Sequence, residues 1–183
     1  LEPSFRLQAY ASLSEVSPEP RLAIKYNVTD WFRVKAAGGF YTQNLIAANS
    51  DRDVVNLFYG FLSGQDDIPS KFDGEEVTSK LQKAIHYILG TEFDVFYDVT
   101  LNIEGYYKDF RLLTSMNRNQ MYTDENAPNG TPEIEKKDFM VETGNAYGVD
   151  VSLKYEDNRW YLWGAYSLAY VNKNYENADG KIV

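Results

Sequence analysis

The chain has 183 residues, with 27 acidic against 18 basic side chains and a formal net charge of −9. That acid excess argues against a nucleic-acid protein, because phosphate binding needs Lys and Arg massed on one face. Hydrophobic residues make up 44 %, and no apolar run approaches the length of a spanning helix, so a helical membrane protein is excluded. A β-barrel is not excluded, since its strands need only about 10 residues of alternating hydrophobicity.

Cysteine is absent and histidine occurs once, as His86. Disulfides, thiolate zinc sites and Cys nucleophiles are thereby removed, and Ser-His-Asp or multi-His arrangements have little material to draw on. The expectation is a protein that is not an enzyme, with no catalytic, cofactor or metal residues. The chain opens on Leu1, with neither an initiator Met nor a basic-then-apolar leader, so it is expected to begin inside a longer product or after processing.

Along the chain, period two dominates. In Phe5 to Leu13, Phe5, Leu7, Ala9, Ala11 and Leu13 share one face, and Arg6, Gln8, Tyr10 and Ser12 share the other. Leu22, Ile24, Tyr26 and Val28 then alternate with Arg21, Ala23, Lys25 and Asn27. In the third segment Phe32, Val34, Ala36, Gly38 and Phe40 alternate with Arg33, Lys35, Ala37 and Gly39. Ile85, Tyr87, Leu89, Phe93 and Val95 oppose His86, Glu92 and Asp94, and Leu101, Ile103, Gly105 and Tyr107 oppose Asn102, Glu104, Tyr106 and Lys108. Tyr147, Val149, Val151, Leu153 and Tyr155 oppose Asp150, Ser152 and Lys154, while Trp160 to Val171 is apolar on both faces. Helical spacing does not fit these segments; they predict seven strands, several longer than the five or six residues usual in globular sheets.

Short connections are expected at Thr29-Asp30, Tyr97-Asp98-Val99 and Glu156-Asp157-Asn158, where the residues favour turns. Longer links are expected at Ser14 to Glu19, near 45–79 and near 117–144, with a polar tail from Asn172. Alternating short and long connections match outer-membrane barrels, with periplasmic turns at one rim and extracellular loops at the other. Aromatics gather at both ends of the strands. Tyr26, Trp31, Phe32, Phe93, Phe96, Tyr97, Tyr155, Trp160 and Tyr161 flank the tight turns, and Phe40, Tyr41, Tyr87, Tyr107, Phe110, Tyr147 and Tyr170 lie about ten residues up the strands. Two such bands are expected where amphipathic rings sit at membrane interfaces.

Three stretches carry a family resemblance: SPEPRLAIKYNVTDWFRVKAAGGFYTQNLI, LNIEGYYKDF and GNAYGVDVSLKYEDNRWYLWGAYSLAYVN. They resemble barrel strands of TonB-dependent outer-membrane receptors. The resemblance implies a barrel of about 22 strands with an N-terminal plug, energised through the TonB complex. Nothing in these residues resembles the plug or the TonB-contacting segment, so residues 1–183 are expected to form part of one outer-membrane β-barrel domain in the outer membrane of a Gram-negative bacterium. By this resemblance the fold is an all-β, antiparallel transmembrane barrel segment in contact with membrane lipid, coupled to TonB through the plug, with a surface lipoprotein as a further candidate partner. Uptake of a large nutrient is implied, such as a siderophore, haem, cobalamin, glycan or peptide. A soluble lipocalin-like carrier and a structural barrel subunit are the alternatives, since alternation is symmetric to inversion.

No residue is singled out for ligand binding. His86, Arg33, Lys35, Glu92, Asp94, Glu104, Lys108, Asp150 and Lys154 are expected to face the lumen and pair across strands, with His86 near Glu92 and Asp94. Residues 124–135 place Asp124, Asn126 and Glu135 as in a calcium loop, but Pro128 stands where a ligand is needed, so an acidic surface loop is expected. Asn27-Val28-Thr29 and Asn129-Gly130-Thr131 match the N-glycosylation pattern, which has no bearing in a bacterial outer membrane. Within the first long loop, residues 51–62 carry apolar side chains at helical spacing behind Ser50 and Asp51, predicting a short amphipathic helix. Seven strands leave two open edges, so Phe5–Leu13 and Trp160–Val171 are each expected to need a further strand.

Overall fold

A computed structural model describes residues 1–11, 13–47, 62–64, 67–96, 98–117, 136–177 and 181–183. In chain order the strands are β1 (Glu2–Tyr10), β2 (Glu15–Asn27), β3 (Phe32–Gln43), β4 (Leu45–Ala47), β5 (Leu62–Gly64), β6 (Lys71–Phe72), β7 (Glu75–Glu76), β8 (Gln82–Phe96), β9 (Val99–Met116), β10 (Phe139–Glu156) and β11 (Tyr161–Tyr175). Seven of them form one antiparallel sheet in the order β1-β2-β3-β8-β9-β10-β11; β4 pairs with β5 and β6 with β7. Each long strand neighbours the one before it in that series. Helical spacing appears in none of the seven, because their side chains repeat every two residues.

The sheet is open. An odd number of antiparallel strands leaves β1 and β11 running in the same direction, so these two edges cannot pair with each other antiparallel. In β11 every residue is exposed, since one of its sides has no strand beside it.

The three expected tight turns gather at one end of the sheet; the link between β1 and β2, residues 11–14, is equally short where a long one was expected, and it lies at the opposite end. The Asp94 N–H donates to the Trp31 carbonyl (2.8 Å) and the Glu156 N–H to the Asp98 carbonyl (2.9 Å), which ties neighbouring turns together. At the opposite end the links are tied in the same way: Ser79 Oγ and the Lys80 N–H donate to Glu15, at 2.7 and 3.0 Å. Lys137 Nζ pairs with Asp67 at 2.7 Å. Leu81, Phe139 and Val141, near the starts of β8 and β10 at this loop end, are buried.

Several expected boundaries move. Phe5–Leu13 was too late a frame for the first strand, which ends at Tyr10; the chain then turns through Leu13, whose N–H reaches the Tyr10 carbonyl (3.1 Å), and through Ser14 at φ 53. Residues 15–19 are therefore strand, not loop, and they pair with β1 from Tyr10↔Glu15 to Arg6↔Glu19. The second long link ends at Asp138, not Gly144. Gly144 lies inside β10 at a bulge, where a Cβ would fall 2.2 Å from the Asn172 carbonyl oxygen, so the turn-like residue marks a close backbone approach. The tail from Asn172 continues as strand to Tyr175 and folds back, with Tyr175 and Val183 exchanging two backbone bonds at 3.1 and 2.9 Å. Of the helix expected over 51–62, all but Leu62 lies outside the described residues, and Leu62 opens β5. The 124–135 loop and the Asn129 pattern also lie outside them.

Candidate functional site: the polar face of the sheet

Registry, more than any single residue, builds the two faces. Leu22, Gly38, Tyr87, Tyr107, Tyr147 and Tyr170 are successive cross-strand partners, and so are Ile24, Ala36, Leu89, Gly105, Val149 and Leu168. One face is thus apolar from β2 to β11, and its side chains are exposed, Leu89 at 63 % and Tyr166 at 66 %. The four tyrosines form an unbroken row, with Tyr147 and Tyr170 stacked at 5.6 Å. Toward the turn end Trp31, Phe32 and Phe93 cluster, the last two stacked at 4.8 Å. Tyr147 and Tyr155 lie eight residues apart on β10, about 26 Å along a strand. Across the middle of this face runs a broad open trough of about 1260 Å³ lined by Ile24, Leu89, Ile103 and Val149.

Charged side chains occupy the other face and are the better covered set. Near the turn end Glu92, 16 % exposed, takes Arg33 at 2.7 Å, Lys25 at 3.4 Å and Lys35. Arg33 also grips both oxygens of Asp94, and Thr100 donates to Asp94 at 3.4 Å. Lys35 reaches Asn102 (3.2 Å) and, at 4.0 Å, Glu104, while Asn102 donates to Glu104 at 2.9 Å. Lys25 and Lys35 are direct cross-strand partners, a repulsive pair that Glu92 neutralises. Glu104 and Asp150 are likewise opposite each other. Lys154 pairs with Glu156.

Sign is distributed unevenly over this face. From Arg21 to Lys35 the polar positions of β2 and β3 carry Arg21, Lys25, Arg33 and Lys35 and no acid, whereas Glu92, Asp94, Glu104 and Asp150 all lie on β8 to β10. Sequence alternation places these residues on one face but leaves open which of them meet.

Two features of the site were not legible that way. His86 was expected beside Glu92 and Asp94, yet six residues of extended strand separate it from Glu92, about 20 Å. Its ring stacks instead on Tyr41 (4.2 Å), and Arg21 lies over the same Tyr41 ring at 4.3 Å. Tyr41 comes from β3, the strand between those of Arg21 and His86, so it belongs to the polar face and leaves the expected aromatic band. The other feature is Glu19, which is fully buried. Its carboxylate accepts Arg21 at 2.6 Å, Gln8 at 3.2 Å, and both the N–H and hydroxyl of Thr42, at 2.9 and 2.7 Å. The signal available was Pro18-Glu19-Pro20: two prolines two residues apart withdraw donors from the same side of a strand. The β2–β3 ladder duly stops at Arg21↔Gly39 although β3 runs on to Gln43.

Among the described residues no cluster of three metal-ligating side chains occurs. Searches of family models, curated proteins and solved structures return no match to this chain.

Proposed function

We propose that this sheet is a section of the wall of an outer-membrane β-barrel, its apolar face against lipid and its charged face toward a water-filled lumen. The observation that carries the reading is the inverted amphipathicity: long strands expose Leu, Val, Ile and Tyr while their alternate positions cover paired charges. A water-soluble sheet has the opposite arrangement, because exposing a broad apolar surface to water is unfavourable. The tyrosine row at one level and the Trp31–Phe32–Phe93 cluster at another suit the two interfaces. Every strand in such a wall needs a partner on both sides, so β1 and β11 each take an additional strand, and an all-antiparallel closure takes an odd number of them.

With the family resemblance added, the function we propose is that of a TonB-dependent receptor, capturing a nutrient too large for porins and admitting it when a plug is pulled by the TonB complex. This section supplies wall and loops and carries out no chemistry of its own. Cell fractionation tests the location: the protein should sediment with outer membrane and be released only by detergent. Growth on candidate nutrients as sole source, with and without TonB, tests the transport.

The trough on the apolar face favours a second reading, a soluble carrier that wraps an apolar ligand. Release into the aqueous fraction without detergent would move the assignment there.

A further inference from the structure

We propose that the charged face holds a binding site for a small oxyanion, a carboxylate or phosphate group, in the pit over Ala23 and Ala37. These two alanines are direct cross-strand partners and form the floor of a cavity of about 230 Å³. Side chains with N–H and O–H groups to offer stand around it, Arg21, Tyr41 and His86 toward the loop end and Ser4 from β1, and Ile88, the cross-strand partner of Ala37, closes the β8 side. The Arg21–Tyr41–His86 stack fixes three of these groups before any ligand arrives, which lowers the ordering cost of binding.

The donors of the lining favour an anion there. The pit lies in the half of the face that carries the basic side chains of β2 and β3; Lys25 and Lys35, two residues further down the same strands and about 7 Å away, are already held by Glu92. Lys108 is the cross-strand partner of His86. The acids that face the same region are Glu19, engaged by Thr42, Gln8 and Arg21, Glu92, engaged by Lys25 and Lys35, and Glu2 at the rim on β1. A floor of alanine completes the design: a larger residue at either position would fill the space, and a short one leaves room for an oxyanion between the donors. The pit exists whether or not the face lines a membrane lumen. Only the step from binding site to cargo rests on the uptake reading, which would then favour nutrients carrying carboxylate or phosphate.

The test uses the full chain in detergent micelles with ¹⁵N-labelled histidine, the His86 imidazole being assigned by its loss in His86→Gln. Inorganic phosphate and citrate are titrated at ionic strength held constant with sodium chloride. A saturable shift of the imidazole signals is expected, lost in Ala37→Leu, which fills the pit without touching a charge, and weakened about tenfold in Arg21→Gln, the loss of one charge-assisted hydrogen bond. Dihexanoyl phosphatidate is titrated in parallel to separate a lipid headgroup from a solute. Three results would overturn the proposal: a shift that never saturates, saturation unchanged in Ala37→Leu, or a response to the phosphatidate alone. Insertion into vesicles, measured separately, reports on the membrane reading and leaves this result untouched.

Discussion

The Glu19 carboxylate holds Thr42 by both its backbone N–H (2.9 Å) and its hydroxyl (2.7 Å), at the level where the ladder between β2 and β3 has ended. A side chain here does the work of a backbone carbonyl. Pro18 and Pro20 remove donors from β2, and Thr42 would otherwise present an unpaired N–H at a half-buried position. Glu19 supplies the acceptor that the Thr42 N–H needs and in turn neutralises Arg21 (2.6 Å). Removing it should therefore cost more than a surface ion pair. Glu19→Ala is expected to destabilise the folded chain by about 2–4 kcal/mol, from an orphaned donor and an uncompensated arginine. Glu19→Gln keeps one acceptor and should lose less. Urea titration in detergent measures both, and a Glu19→Ala midpoint indistinguishable from the parent would contradict the assignment.

The apolar face is tested by charge. Val151 sits mid-strand on β10 between Ile103 and Tyr166. In lipid vesicles Val151→Arg should cost roughly 2–4 kcal/mol, the figure for a cation placed near the midplane of a barrel wall. Lys154→Ala, on the opposite face, removes an exposed pair with Glu156 and should cost at most about 1 kcal/mol. Equal stabilities in vesicle refolding would place the membrane on the wrong face.

The two ends of the sheet should lie on opposite sides of the membrane. Because the chain has no cysteine, a single introduced thiol is a unique label. Glu75→Cys, in the β6–β7 hairpin at the loop end, should react with an impermeant maleimide on intact cells. Asp157→Cys, in the β10–β11 turn, should react only after the outer membrane is opened. The reverse pattern would invert the topology.

Proton binding should loosen the loop end. The Lys137 ammonium, hydrogen-bonded to Asp67, is the chief cause holding that carboxyl below its ordinary value, the Asp138 N–H assists, and desolvation opposes. A carboxyl whose value is lowered on folding contributes stability above its unfolded value of about 3.9, and that contribution is lost as pH falls through the lower folded value. Asp67→Asn should accordingly be less stable than the parent by a constant margin between about pH 5 and 8. The margin should shrink below about pH 4 as the parent's own carboxyl takes up a proton. Thermal melting of both proteins across that range checks it, and a margin unchanged at the acid end would show that the Asp67–Lys137 pair is not its source.

How much of this was legible beforehand depended on the range over which the cause acts. Alternation at Leu22 to Val28, Phe32 to Phe40 or Tyr147 to Tyr155 is a local property, because a strand's side chains must point to opposite faces. Seven strands, their antiparallel order, their two faces and the three tight turns followed from the residues alone. Boundaries did not follow where one residue type serves two purposes. Gly144 reads as the end of a loop and proves to be a close approach to Asn172, and 15–19 read as a link because two prolines usually interrupt a strand.

Tertiary structure decided which charges meet. Alternation puts His86 and Glu92 on one face, but only the register brings Tyr41 and Arg21 to the histidine while Lys35 and Arg33 go to Glu92. A partner across a sheet is set by which residues stand opposite, and that depends on bulges and turn lengths many residues away. The pit over Ala23 and Ala37 has the same origin: two small residues far apart in the chain become a cavity only when the strands align them.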